Sequence, residues 1–154
     1  SLIMAVTING SGQTVVQTQS TTLTTGSFST TSTSMTNITG MAVGITPLST
    51  SNKVLVSVNL SYSCADNYCV AFQLLRNGSQ IQFVDDISPF DSASTFNLGG
   101  GSCNINYLDS PASTSALTYK TQFNNRSATG TVVTQFLGNF GQSTSYITLM
   151  EIAA

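Results

Sequence analysis

Apolar and polar residues alternate along most of this chain, and the three-and-four spacing of an amphipathic helix is almost absent. The clearest alternation spans residues 53–62. Val54, Val56, Val58, Leu60 and Tyr62 fall on one face and Lys53, Ser57, Asn59 and Ser61 on the other, with Leu55 the exception. A period of two predicts a half-buried strand. Over residues 68–76 a helix competes, because Val70/Leu74 and Ala71/Leu75 sit four apart, but Val70, Phe72 and Leu74 also alternate. The pair Asn77-Gly78 decides for a strand. Both residues accept positive φ and suit a two-residue type I′ hairpin, with Ile81 and Phe83 continuing the alternation on the return strand.

Further strands are predicted over residues 14–22, 41–46, 102–108, 117–123, 131–137 and 145–152, with Pro47, residues 49–52, Gly99-Gly100-Gly101, Asp109-Ser110-Pro111, Asn124-Asn125 and residues 138–141 as punctuation. The Ser/Thr run over 18–36 reads as extended chain with a kink near Gly26, since β-branched Thr suits pleated backbone. Eight to ten short strands without a helix predict an all-β protein: a two-sheet antiparallel jelly-roll sandwich over residues 13–154, preceded by an arm over residues 1–12. An immunoglobulin-like sandwich fits less well, because the chain is long for one and has no Trp.

The last strand carries Tyr146, Ile147, Leu149, Met150 and Ile152, bulky apolar groups on both faces. A strand apolar on both sides is normally covered on both. In a lone sandwich each strand keeps one wet face. The expected cover is another subunit, with these five residues as candidate interface; the N-terminal segment of the same chain is the competing cover.

Composition sharpens this reading. Of the 154 residues, 40% are hydrophobic and only 6% charged, whereas ordinary domains carry about 25% charged residues and Ser and Thr here fill roughly three positions in ten. Four basic residues, Lys53, Arg76, Lys120 and Arg126, are too few and too scattered to bind a phosphate backbone or an anionic membrane surface. No apolar run approaches a membrane span, and residues 1–6 lack the basic start of a secretory signal. Neither nucleic acid nor membrane is an expected partner.

Histidine is absent, which removes Ser-His and Cys-His pairs, His-ligated metals and the commonest general base. Lys53 and Lys120 carry no Ser-Lys motif. Asp85, Asp86 and Asp91 form the only acidic cluster, but neighbouring strand residues face opposite ways and the EF-hand spacing is missing. Gly10-Ser11-Gly12 and Gly99-Gly100-Gly101 precede no helix, so no phosphate cradle follows. No enzymatic activity and no cofactor are expected. Cys64 and Cys69 flank a turn and are candidates for a disulfide, free thiols being an equal alternative, while Cys103 reads as a small core group. Tyr68, Phe90, Tyr107 and Tyr119 are candidates for stacking on sugars, although aromatics at strand spacing more often fill a core.

The segment Tyr107-Leu-Asp-Ser-Pro-Ala-Ser-Thr-Ser-Ala-Leu-Thr-Tyr-Lys-Thr-Gln-Phe123 resembles a stretch that recurs in virion proteins of tailed phages, especially those of cyanobacteria and other aquatic hosts. Ser32-Thr-Ser-Met-Thr-Asn-Ile-Thr-Gly40, Ile45-Thr46-Pro47, Ser51-Asn-Lys-Val-Leu-Val56, Asn125-Arg126-Ser127 and Ile147-Thr-Leu-Met-Glu-Ile152 extend the resemblance from about Thr14 to the last residue. In that group the domain sits at the end of tail-fibre or other structural proteins and is similar in design to the trimeric jelly rolls of the tumour-necrosis-factor and complement-C1q type. The resemblance implies a homotrimer on the outer surface of a virion. With a dozen residues before the domain there is no room for a fibre shaft, so the expected role is a capsid decoration (cement) protein. Its partners would be its own copies and a major capsid protein or another virion protein. Leu2, Ile3, Met4, Val6 and Ile8 are candidate arm contacts to the capsid or a neighbour. The alternative is the receptor-binding tip of a tail fibre.

Overall fold

A computed structural model describes residues 13–64, 70–87, 99–127, 130–135, 137–138 and 141–154. The arm residues 1–12, Cys69, Tyr68, Phe90 and Asp91 lie outside the described residues. Among those described there is no helix; the chain is all-β and built as two antiparallel sheets.

The first sheet is assembled around β4 (Lys53–Cys64), the strand whose alternation is strongest in the sequence. One edge of β4 pairs along its length with β7 (Gly99–Asp109). Its other edge pairs first with β12 (Ser145–Ile152) and then, from Tyr62, with β9 (Val132–Thr134). β1 (Val15–Leu23) closes the sheet beyond β12, and β2 (Phe28–Thr30) lies beyond β9. In the second sheet the order is β3 (Thr36–Ile45), β8 (Leu117–Asn125), β5 (Val70–Arg76) and β6 (Ser79–Ile87). β10 (Leu137–Gly138) and β11 (Gly141–Gln142) form a separate two-residue ribbon.

The eight long strands pair from the outside inwards: β1 with β12, β3 with β8, β4 with β7 and β5 with β6. The chain is thus one long hairpin, folded across itself, with Asn77-Gly78 at its tip. Both tip residues have positive φ, 48° and 85°, as the type I′ turn requires.

Between the sheets lies one core. Val54, Val56, Val58 and Leu60 of β4 are at most 1% exposed and meet Phe72 and Leu74 of β5, Tyr119 and Phe123 of β8 and Met41 of β3. Each such aliphatic side chain contributes about 1.5–3 kcal/mol on burial. Tyr62 packs edge-on against Phe72, with ring centroids 6.3 Å apart.

Several expectations change, and Asn124-Asn125, expected as punctuation, closes β8 as paired strand. Gly99-Gly100-Gly101 is the start of β7 and not a break between strands. The Tyr62 ring lies on Gly101, where a Cβ would sit 3.1 Å from the phenol oxygen, so an aromatic from the neighbouring strand supplies the cover that glycine lacks. The strand expected over 131–137 is broken at Gln135, whose φ is 54° and whose backbone N–H turns to Ser61 O. β3 begins at Thr36, five residues before Met41, because its polar first half still pairs with β8 across a register shift. The kink expected near Gly26 is present: β1 ends at Leu23, Gly26 has φ 91°, and β2 begins at Phe28.

Candidate interaction surface

Cross-strand pairs share a face, so the register of the first sheet gives its outer surface row by row. One row runs Thr18, Met150, Leu55 and Leu108. The next runs Ser20, Thr148, Ser57 and Asn106, and the third Thr22, Tyr146, Asn59 and Asn104. Ile152 and Lys53 begin the face at the end where the chain enters β1. Among the described residues, Lys53 is its only charged group. Leu108 is 51% and Tyr146 39% exposed, and Leu55, Met150 and Ile152 are half-buried.

The five residues singled out on the last strand therefore divide between two environments. Ile147 and Leu149 are fully buried in the protomer's own core and are not available to a partner, a correction to the expectation for those two. Tyr146, Met150 and Ile152 point outward. The alternation is regular because Glu151 continues the inward set of Ser145, Ile147 and Leu149.

Glu151 is wholly buried, and neutral donors surround its carboxylate. Leu48 N–H donates to Oε1 at 2.8 Å, Asn52 Nδ2 to Oε1 at 2.6 Å and Gln17 Nε2 to Oε2 at 2.5 Å. Burial alone would raise its pKa; the hydrogen bonds from Gln17, Asn52, Leu48 N–H and Ser49 N–H outweigh that and hold it below the usual carboxylate range. Three distant segments, β1, the turn after β3 and β12, are tied together by this one group. Leu48 stands 70% exposed on the turn thus fixed.

A second carboxylate joins the two sheets. Asp109 of β7 accepts from Arg76 Nη1 of β5, 2.8 Å to each oxygen, and from the Tyr119 phenol of β8 at 2.6 Å. Burial, then the bond to Asp109, pushes the Tyr119 pKa up, and the bond to Asp109 raises that of Arg76. Neither carboxylate was singled out from the sequence. Glu151 had a signal: it keeps phase with Ile147 and Leu149, and a charge on an inward face must find partners.

Asp85 forms an exposed ion pair with Arg126, 2.7 Å from Oδ1 to Nε, so a cation faces it. Tyr119 is fully buried in the core and offers no ring to a sugar, while the half-buried Tyr107 packs against the core. Cys64 and Cys103 are both buried. Cys64 lies opposite Gly99 and Cys103 opposite Leu60. Four rungs are about 13 Å, beyond the roughly 7 Å that a disulfide spans. Burial pushes the Cys103 thiol up to about 11, which keeps it protonated and unreactive. The proposed partner of Cys64, Cys69, lies outside the described residues.

The outer face of the second sheet differs in kind. Gln73 of β5 donates to Gln122 of β8, which donates to Asn37 Oδ1 of β3 at 2.8 Å, an amide ladder across three strands with Phe83 beside Gln73. Among the described residues, no group of three or more His, Cys, Asp or Glu is placed to hold a metal ion, and no helix is long and apolar enough to cross a membrane. The chain matches no protein-family model and no curated protein.

Proposed function

We propose that this chain is a non-enzymatic structural subunit of a phage virion, a homotrimeric jelly roll that decorates and clamps the capsid. The pairing of first strand with last, second with second-last and so on inwards supports the jelly-roll reading. The observation that carries the trimer is the outer face of the first sheet: a row of half-exposed Met150 and Leu55 with exposed Leu108, set in hydroxyls and amides without a carboxylate. Residues close to a threefold axis meet their own copies, so a charged group there would repel itself and an uncharged one does not. Tyr146, Met150 and Ile152 are the interface residues in this reading.

Ala153 N–H donates to Thr14 O at 2.9 Å, so Thr14 and Val15 lie beside the last residues and beside Ile152. Leu2, Ile3, Met4, Val6 and Ile8 are the arm contacts to the shell in this reading. A protein that binds the assembled shell and not its parts stabilises it by mass action. Light scattering tests the assembly: the proposal expects three times the 16.1 kDa chain mass, and a monomer at every concentration overturns it. Imaging the protein on intact particles tests its place there.

The amide ladder supports a second reading, the receptor-binding tip. Amides beside an aromatic ring suit a neutral, hydroxyl-rich ligand such as a surface glycan. Binding of the purified protein to host cells, lost on Gln122→Ala, would favour the tip over the decoration protein.

A further inference from the structure

The tip of the β5–β6 hairpin holds chemistry that neither assembly reading uses. Asn77 and Gly78 are both exposed, and nothing lies within 4 Å of where a Cβ on Gly78 would be. Gly78 carries no side chain to hinder its own nitrogen, which directly follows the Asn77 side-chain amide along the chain. Yet Asn77 is held firmly. Its N–H donates to Thr118 O at 2.8 Å, and its side-chain Oδ1 accepts from Thr118 N–H at 2.8 Å. Main chain and side chain together continue the β5–β8 ladder one step past Arg76 and Tyr119.

We propose that Asn77 is a site of spontaneous deamidation which the native hairpin keeps shut and which opening of the hairpin releases. In the reaction the Gly78 nitrogen attacks Asn77 Cγ. The N–Cγ bond forms, the Cγ–Nδ2 bond breaks, and Nδ2 leaves as ammonia, taking the proton lost from the Gly78 nitrogen. Water then opens the five-membered imide at either carbonyl, giving aspartate or isoaspartate; no oxidant or reductant takes part.

Ring closure needs the Gly78 nitrogen to swing towards the Asn77 side chain. Asn77 has φ 48°, and in this left-handed region ψ is about +47°, which sets the following nitrogen nearly opposite Cβ. The two bonds to Thr118 hold the carboxamide over β8 as well. Attack must wait until the turn opens, so the rate in the folded chain follows the open fraction. The two products then differ. Aspartate keeps the backbone and an oxygen for Thr118 N–H, and it accepts positive φ. Isoaspartate adds a methylene to the main chain within a two-residue turn and loses the paired bonds.

The full chain is incubated in mildly alkaline buffer, folded and in urea, and Asn77 conversion is followed by peptide mapping. Asn9-Gly10 is the internal reference in the unfolded chain. The proposal expects Asn77 to convert as fast as Asn9 in urea and at least about tenfold more slowly in the folded protein. Equal rates folded and unfolded, or no conversion of Asn77 in urea, overturn it. After refolding, isoaspartate chains should melt below wild type while Asn77→Asp melts close to it. Identical melting of the isoaspartate chains overturns the claim that the turn cannot house the product.

Discussion

The two sheets share an inward pattern and part company outside. On the first, the outer rows end in Met150, Leu55 and Leu108, apolar groups left partly wet with one lysine at the rim. On the second, Gln73, Gln122 and Asn37 satisfy one another and Lys120 lies in the next row. A face whose polar groups already hold each other, and whose apolar Ala71 and Leu75 are already buried, needs no further cover. A face with apolar side chains half in water gains free energy from any partner of matching shape, at roughly 25 cal/mol for each Å² removed from water. The difference teaches where an assembly contact should form on a molecule so poor in charge.

The strongest way to break that contrast is to charge each face in turn. Met150→Asp with Leu108→Asp should leave only monomers in light scattering where the proposal expects a trimer, because each proposed interface would have to bury unpaired carboxylates at several kcal/mol apiece. Ala42→Asp with Thr118→Asp, on the outer face of the second sheet, should leave the mass unchanged. If both pairs dissociate the protein, the faces are not different in kind.

Next in size is the support beneath the apolar row. Glu151→Ala strands the Leu48 N–H and the Asn52 and Gln17 amides and should cost about 2–3 kcal/mol in urea unfolding. The same group sets an acid limit. Its folded pKa is depressed, so its contribution is complete above its unfolded value, about 4.3, and is lost as pH falls through the folded value. Melting temperature should therefore drop on acidification below pH 4 in the wild type, and less steeply in Glu151→Gln.

Smaller again is Tyr119→Phe, which removes one donor from Asp109 while Arg76 remains; about 1.5 kcal/mol is expected. Gln122→Ala, in the amide ladder, leaves the buried Gln73 amide without its partner and should cost about 1 kcal/mol, the exposed Asn37 being satisfied by water. A loss above about 3 kcal/mol would mean that the ladder supports the sheet beyond this one buried bond.

Much of the architecture was legible because it is local. Alternation over 53–62 marks β4, and Asn77-Gly78 marks a turn that only positive φ can make. Thr-rich chain with a kink near Gly26 marks β1 and β2. What failed was non-local. A glycine run reads as a break until Tyr62 from the next strand is laid upon it. Five apolar residues on β12 read as two equivalent greasy faces until the partner sheet claims Ile147 and Leu149.

Sequence alone determined that this is a strand-built, weakly charged chain without histidine chemistry, because strand period and composition are properties of near neighbours. Only the tertiary structure decided which outward row stays apolar and how Glu151 is kept ionised inside. Both depend on residues about a hundred positions apart, such as Asn52 and Glu151, and no local pattern records a contact made across the fold.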